Sequence, residues 1–285
     1  MTEATGPGTG PELDANEIYA LGSSGAESAR LQRQAEELAP QSAALLDRVG
    51  LARGHHAIDV GCGPRGVIEL LATRVLPGGR VVGIDADQNH VAMARELTRR
   101  LRLSNTEILL ADARQTGLPS GTFDVVHART MLITVPAPEV VLAEMVRLTR
   151  PGGWVVGLEP DTEAMICYPP HPAVDRLREL FSTAFARNGA DPCIGRRVPE
   201  LYRRAGLTEI GVEAVAALYP VGHSRRSIRA DLVRSMGTQI VAMGLSDAAE
   251  LEQIDAAARA HFADPDVLVM PSLNFLISGR RPAVA

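Results

Sequence analysis

Aromatic side chains are scarce in this sequence, at 4% of 285 residues, with a single Trp. A ligand cage built from many stacked rings is therefore not expected. Cysteine is rarer still. Cys62, Cys167 and Cys193 contain no C-x-x-C pair and form no even framework, so they read as free thiols in a reducing, cytoplasmic compartment. No His or Cys spacing suggests a metal site. No stretch approaches 18 consecutive apolar residues, and the first residues lack a basic-then-apolar pattern, so neither membrane insertion nor secretion is expected. The net charge of −5 comes without any basic tract, which argues against nucleic acid as a partner.

What is present is a hydrophobic fraction of 46%, enough for one large α/β domain with embellishments or one domain plus a small cap. The segment Ala57-Ile58-Asp59-Val60-Gly61-Cys62-Gly63-Pro64-Arg65-Gly66 organises the rest. An apolar strand runs into a glycine-studded turn, and Val67 to Val75 continue as an amphipathic helix. The helix start aims free N–H groups and a positive dipole end at the turn, as nucleotide-type cofactor sites require. Taken alone, the same G-x-G-x-x-G spacing serves equally to tighten a strand–helix connection.

Further strands follow in order. Val81 to Asp85 is apolar and ends in an acid 26 residues after Asp59, placed to accept from both hydroxyls of a ribose. Ile108 to Ala111 leads to Asp112; Phe123 to Ala128 and Trp154 to Glu159 supply the fourth and fifth strands. Any one acid at a strand end serves equally as a helix cap. Several at one edge of one sheet are better explained together, as a cofactor crevice.

Outside this core the pattern is less regular. Residues 1–16 read as a flexible tail and 17–50 as a helical cap: Tyr19 near its start, a helix over 25–39 capped by Ser24, an interruption at Pro40, and a second helix to about Val49. Residues 160–172, with four prolines, suit neither strand nor long helix. A helix is expected over 173–188, a loop over 195–205, a sixth strand over 207–218, helices over 225–243 and 247–262, and a last strand over 273–278.

The segments D-V-G-C-G-P (59–64), V-V-G-I-D (81–85), A-D-A (111–113), F-D-V-V (123–126) and L-T-R-P-G-G-W (148–154) resemble class I S-adenosylmethionine-dependent methyltransferases, of the small-molecule, quinone-pathway-like kind. The likeness runs from about Leu51 to Glu159. One departure stands in the loop, where Arg65 occupies the third glycine position and Gly66 follows one place later. The resemblance implies a doubly wound, Rossmann-like sheet of seven strands in the order 3-2-1-4-5-7-6, strand 7 antiparallel. A methyltransferase domain would fill 51–285, with a helical lid inserted at about 222–266.

By the same resemblance, S-adenosylmethionine is the cofactor and S-adenosylhomocysteine the product. Gly61 and Gly63 would hold the methionine part, Asp59 would orient its amino-acid end, and Asp85 would bind the ribose. Ala86 and Gln88 would flank the adenine and Asp112 accept from its amine, with Ala113, Ala128 and Tyr19 also on the cofactor side. Arg129, Glu159, Tyr168, His171 and Met236 are the candidates for the acceptor, expected to be a small, mostly apolar metabolite. His127, Glu159, His171 and His223 are the residues from which a general base could come, and none is assigned. A homo-oligomer is left open. Two other readings share these features: an S-adenosylmethionine-binding protein that is non-catalytic or repurposed, and an NAD(P)-dependent oxidoreductase, in which Asp112 and the Pro-Gly-Gly before the fifth strand would have no role.

Overall fold

The computed structural model describes residues 25–283, so the expected tail, Tyr19 and the Ser24 cap lie outside the described residues. Seven strands form one sheet in the order β3-β2-β1-β4-β5-β9-β7. They are β1 (His56–Val60), β2 (Arg80–Asp85), β3 (Thr106–Leu110), β4 (Phe123–Arg129), β5 (Thr149–Asp161), β7 (Thr208–Ala216) and β9 (Leu273–Arg280). The first five run parallel, and β9 lies antiparallel between β5 and β7. This is the expected order, β9 being the seventh strand of the sheet.

Alternation along the central strands divides the apolar side chains between two cores. On one face, Ala57, Val81, Val125 and Val156 pack with Leu45, Leu46, Leu71 and Val91. These come from α2 (Ala39–Arg48), α3 (Ile68–Val75) and α4 (Gln88–Arg100). On the other face, Ile58, Val126 and Val155 pack with Met145, Phe181 and Val198. Their helices are α5 (Pro138–Leu148), α6 (Pro172–Arg187) and α7 (Ile194–Arg204). The parallel strands therefore end together at one edge, and the chain reverses its winding between β1 and β4. A crevice opens at that switch point.

Four local expectations are corrected. The first helix, α1 (Gly25–Glu37), ends before Pro40; the break falls at Leu38, and Pro40 sits in the first turn of α2, where its missing N–H costs nothing. The stretch 195–205 is helix rather than loop. Ile194, Val198, Leu201 and Tyr202 recur at helical spacing and are all buried, which outweighs Gly195 and Pro199. The prolines of 160–172 do not exclude strand: β6 (Ile166–Tyr168) pairs with β8 (Leu268–Met270) in a separate two-stranded sheet. Finally, the expected helix over 225–243 is divided into a 3₁₀ turn (Ser224–Ser227), α8 (Ile228–Ser235) and α9 (Gly237–Ala242).

The helices after β7 pack inward. Met236, Ile240, Ala258 and Phe262, the last two from α10 (Ala248–Phe262), join the same core as Phe181 and Phe185 of α6. Among the described residues no helix is long and apolar enough to cross a membrane.

Gly195 lets α7 lie against β5. A Cβ there would meet Glu159 O at 2.8 Å, Pro160 C at 2.8 Å and Asp161 N at 2.9 Å, all of them backbone atoms. Replacing an exposed helical Gly by Ala gains up to about 1 kcal/mol of helix propensity. Gly195→Ala is expected to do the reverse and lower stability, because helix and strand must separate. Urea unfolding of the variant checks this, and an increase in stability would refute the contact.

Candidate functional site

A cleft of about 250 Å³ opens at the C-terminal ends of the parallel strands. Its floor is the glycine turn after β1, held from below by a buried carboxylate. Asp59, 1% exposed, accepts from Val67 N (2.9 Å) through Oδ2, and its Oδ1 lies 2.8 Å from His127 Nδ1 on β4. Gly66 closes over this pin. A Cβ at Gly66, whose φ is +53°, would collide with Asp59 Oδ2 and Cys62 O. The displaced glycine thus has a definite task, and Arg65 beside it turns outward to Glu36 Oε1 of α1 at 2.5 Å.

Gly63 is different. Its Cβ position meets nothing within 4 Å, so the backbone on the cleft side stands open to a ligand. Its N–H donates to Asp85 Oδ2 (2.8 Å), and Asp85 Oδ1 accepts from Asp87 N (2.9 Å). The Asp85 carboxylate itself lines the cleft, which suits a pair of vicinal hydroxyls. His90, in the first part of α4, also lines the cleft, with Nδ1 3.6 Å from Asp85 Oδ1. Burial opposes its charged form, but the hydrogen bond and charge of Asp85 outweigh this and raise its pKa. Asp112 faces the cleft while held by the Arg114 guanidinium (Nε 3.0 Å, Nη2 2.7 Å), which keeps its carboxyl below the usual range.

Gly61, Gly63, Asp85, Ala86, Asp112 and Ala113 accordingly line one cleft, as does Arg129. Asp59 and Ala128 are buried beneath it, and Gln88 is exposed outside its wall. Asp59 positions the loop rather than facing a ligand. His90 was missed by sequence reasoning; a histidine in the first turn of an amphipathic helix carries no signal until the fold places it beside Asp85.

A second cavity, of about 70 Å³, adjoins the first, with Leu31, Thr130 and Thr134 lining both. Leu31 comes from α1, which lies over this junction and donates Gln34 Nε2 to Thr130 Oγ1 (2.8 Å). Thr130 is held at φ +50°, unusual for a β-branched residue, just where β4 ends between the two cavities. Most acceptor-side expectations do not fall here. Among Arg129, Glu159, Tyr168, His171 and Met236, only Arg129 lines either cavity, and its guanidinium ties the cap to the loop through Gly66 O (3.0 Å) and Ser42 Oγ (3.2 Å). Tyr168 is 69% exposed on β6, and Met236 is 1% exposed in the core.

The residues from which a base could come are also committed elsewhere. His127 is on Asp59; His171 and His223 accept from Ala173 N and Arg225 N at the starts of their helices. Glu159, fully buried, accepts from Met131 N, Leu132 N and Ile133 N at 3.1, 3.0 and 3.2 Å, capping the 3₁₀ turn (Leu132–Thr134) after β4. Burial pushes its carboxyl up to about 7 against these three donors.

Two outcomes follow from this geometry. Gly66→Ala is expected to destabilise the protein by several kcal/mol, whereas Gly63→Ala costs only the φ strain of about 1–2 kcal/mol. Equal losses in chemical denaturation would remove Asp59 as the pin. Folded Glu159 retains a proton that the unfolded chain releases near pH 4.5, so its contribution is present at pH 4–5 and lost as pH rises through about 7. Wild type should therefore lose stability relative to Glu159→Gln between pH 5 and pH 8, by up to about 3 kcal/mol. A pH-independent difference in urea unfolding would contradict this.

Comparison with known proteins agrees with this arrangement. Residues 58–157 match a family described as a methyltransferase domain. A demethylmenaquinone methyltransferase of Geobacillus sp. (strain WCH70) is 30% identical over 196 residues, covering 63% of this chain and 83% of that one. An uncharacterized 37.1 kDa protein in transposon TN4556 of Streptomyces fradiae is 34% identical over 195 residues; the match covers 65% of this chain but 55% of its relative. In structure, phosphoethanolamine N-methyltransferase 2 of Haemonchus contortus, solved with S-adenosyl-L-methionine, superposes with a TM-score of 0.56 at 16% identity, over 85% of this chain and 52% of that one. With the strand order, the loop after β1 and the acids at the ends of β2 and β3, these matches show that the chain belongs to the class I S-adenosylmethionine-dependent methyltransferases.

Proposed function

We propose that this protein transfers the methyl group of S-adenosylmethionine to a small, mostly apolar metabolite bound in the second cavity. The observation that carries the reading is that this cavity shares Leu31, Thr130 and Thr134 with the wall of the cofactor cleft and has apolar walls, among them Ile133, Phe185 and Leu232. Small-molecule sites usually combine such a lining with a few placed polar groups, here Gln34, Thr162 and Asn274.

The cleft residues fit the cofactor. Asp85 would accept from the ribose hydroxyls, the open backbone at Gly63 would lie along the methionine part, and Ala86 and Ala113 would leave room for a flat base. Asp112 would accept from that base's amine while Arg114 keeps it ionised. The cofactor would supply an electrophilic methyl on a sulfonium, open to displacement by an acceptor lone pair with the thioether as leaving group. The protein's share is alignment and exclusion of water. Thr130, fixed by Leu158 O (2.8 Å) and by Gln34, stands at the boundary where donor and acceptor would meet. The four base candidates are occupied structurally, and the reading takes an acceptor that reaches the site already nucleophilic.

Asp85→Ala is expected to weaken S-adenosylhomocysteine binding by about 30-fold or more, the loss of roughly 2 kcal/mol of charge-assisted hydrogen bonding. Asp85→Asn, which still accepts from Gly63 N, should lose less. Calorimetry with both variants checks this. Unchanged affinity would remove Asp85 from the site, and NADH binding more tightly than S-adenosylmethionine would overturn the reading.

A further inference from the structure

The chain contains no lysine: all 29 Lys-plus-Arg positions are Arg. Five of these guanidiniums are buried among the described residues, and four are well supplied with partners. Arg30 pairs with Glu27 (2.6 Å) and Arg225 with Glu37 (2.8 Å). Arg129 spends its donors on Gly66 O and Ser42 Oγ. Arg226 reaches four carbonyls, those of Phe262, Tyr219, Asp264 and Val267. Such buried charges are tolerated because each has been given partners.

Arg229 has not. At 2% exposed it is the most buried of the five. It donates Nη2 to Thr162 O (2.7 Å) and lies over the Phe181 ring at 4.3 Å, but Nη1 has no partner and the residue forms no ion pair among the described residues. The acid whose charge favours it, Glu163, is engaged by Ser182 Oγ. Burial accordingly pulls the guanidinium down to about 10, still charged at neutral pH. Arg229 also lines the second cavity, together with Arg30 and Arg225, and among the described residues no Asp or Glu is in that cavity's walls. With Arg30 and Arg225 neutralised by acids outside the cavity, Arg229 is left as its uncompensated charge.

From this juxtaposition we infer that the acceptor is an apolar carboxylic acid, bound as its carboxylate by Arg229 while its body lies among Leu31, Ile133 and Phe185. The inference rests on the second cavity being the acceptor site. A guanidinium offers a planar fork of donors matched to a flat, singly charged carboxylate, and the pair gains most where water is excluded. The small cavity volume suits such a head group. An unpaired buried cation is a stability liability, which a ligand anion relieves.

The test is calorimetry on the S-adenosylhomocysteine-saturated protein with octanoate and 3-phenylpropanoate, against their primary amides and against phenyl phosphate. The acids should bind at least tenfold more tightly than the amides and the phosphate. Arg229→Met should abolish the acid–amide difference, leave S-adenosylhomocysteine affinity unchanged and keep or raise the Tm. Arg229→Lys should retain part of the preference. Equal binding of acids and amides, preference for the phosphate, no binding of any acid, or an intact preference in Arg229→Met would each overturn the proposal. The wild-type comparison stands even where a variant fails to fold. Failure of S-adenosylhomocysteine itself to bind would instead strike at the methyltransferase reading.

Discussion

The buried carboxylate of Asp59 is the contact on which the site depends. It stands at the next-to-last residue of β1, takes the N–H of Val67 at the start of the helix that follows, and reaches across to His127 on β4. One side chain thereby joins two neighbouring strands and the exit of the glycine turn. The turn cannot drift without breaking a hydrogen bond to a fully desolvated acid, which is far more costly than breaking one at the surface. With the turn held, Gly63 N meets Asp85 at the end of β2, and the cleft floor takes its shape.

Glu159 repeats the device two strands away. It holds the three amides at the start of the turn after β4, and so fixes Met131, Leu132 and Ile133 at the boundary of the two cavities. Met131 in turn packs over Gly61, where a Cβ would come within 2.6 Å of its Cγ. Both acids are polar groups invested in the backbone, so the surfaces facing a ligand can be left to Asp85, Asp112 and open peptide units. Arg129 completes the frame by tying the N-terminal helices to Gly66, which brings Leu31 and Gln34 over the junction. Cap, loop and sheet edge are therefore one connected structure.

The two cavities differ in how their charges are treated. In the cleft, Asp112 is held by Arg114 and Asp85 by amides of its own neighbourhood. In the second cavity, cations predominate, and Arg229 keeps a donor without a partner. Four of the five buried guanidiniums are well supplied with partners, two of them by acids, and the fifth lies beside a cavity with a donor to spare.

Much of this was legible in the residue string. Strand, turn and helix periodicities are local properties, and the run of strand-end acids pointed to a cleft, while the likeness to a known family is what named Gly61, Gly63, Ala86, Asp112 and Ala113 beside Asp85 as residues on its cofactor side; all six line the cleft. The strand order was carried by the likeness to a known family. What no local pattern contains is the direction in which a side chain finds its partner. Asp59, Glu159 and His171 read as ligand or base candidates, yet backbone amides claimed them; Met236 sat on an apolar stripe that turned out to face the core. Arg229 was one more arginine in an arginine-rich chain. Its significance arises only when α8 packs against α6 and strips water from its guanidinium, because burial and pairing are properties of the assembled fold rather than of the sequence around a residue.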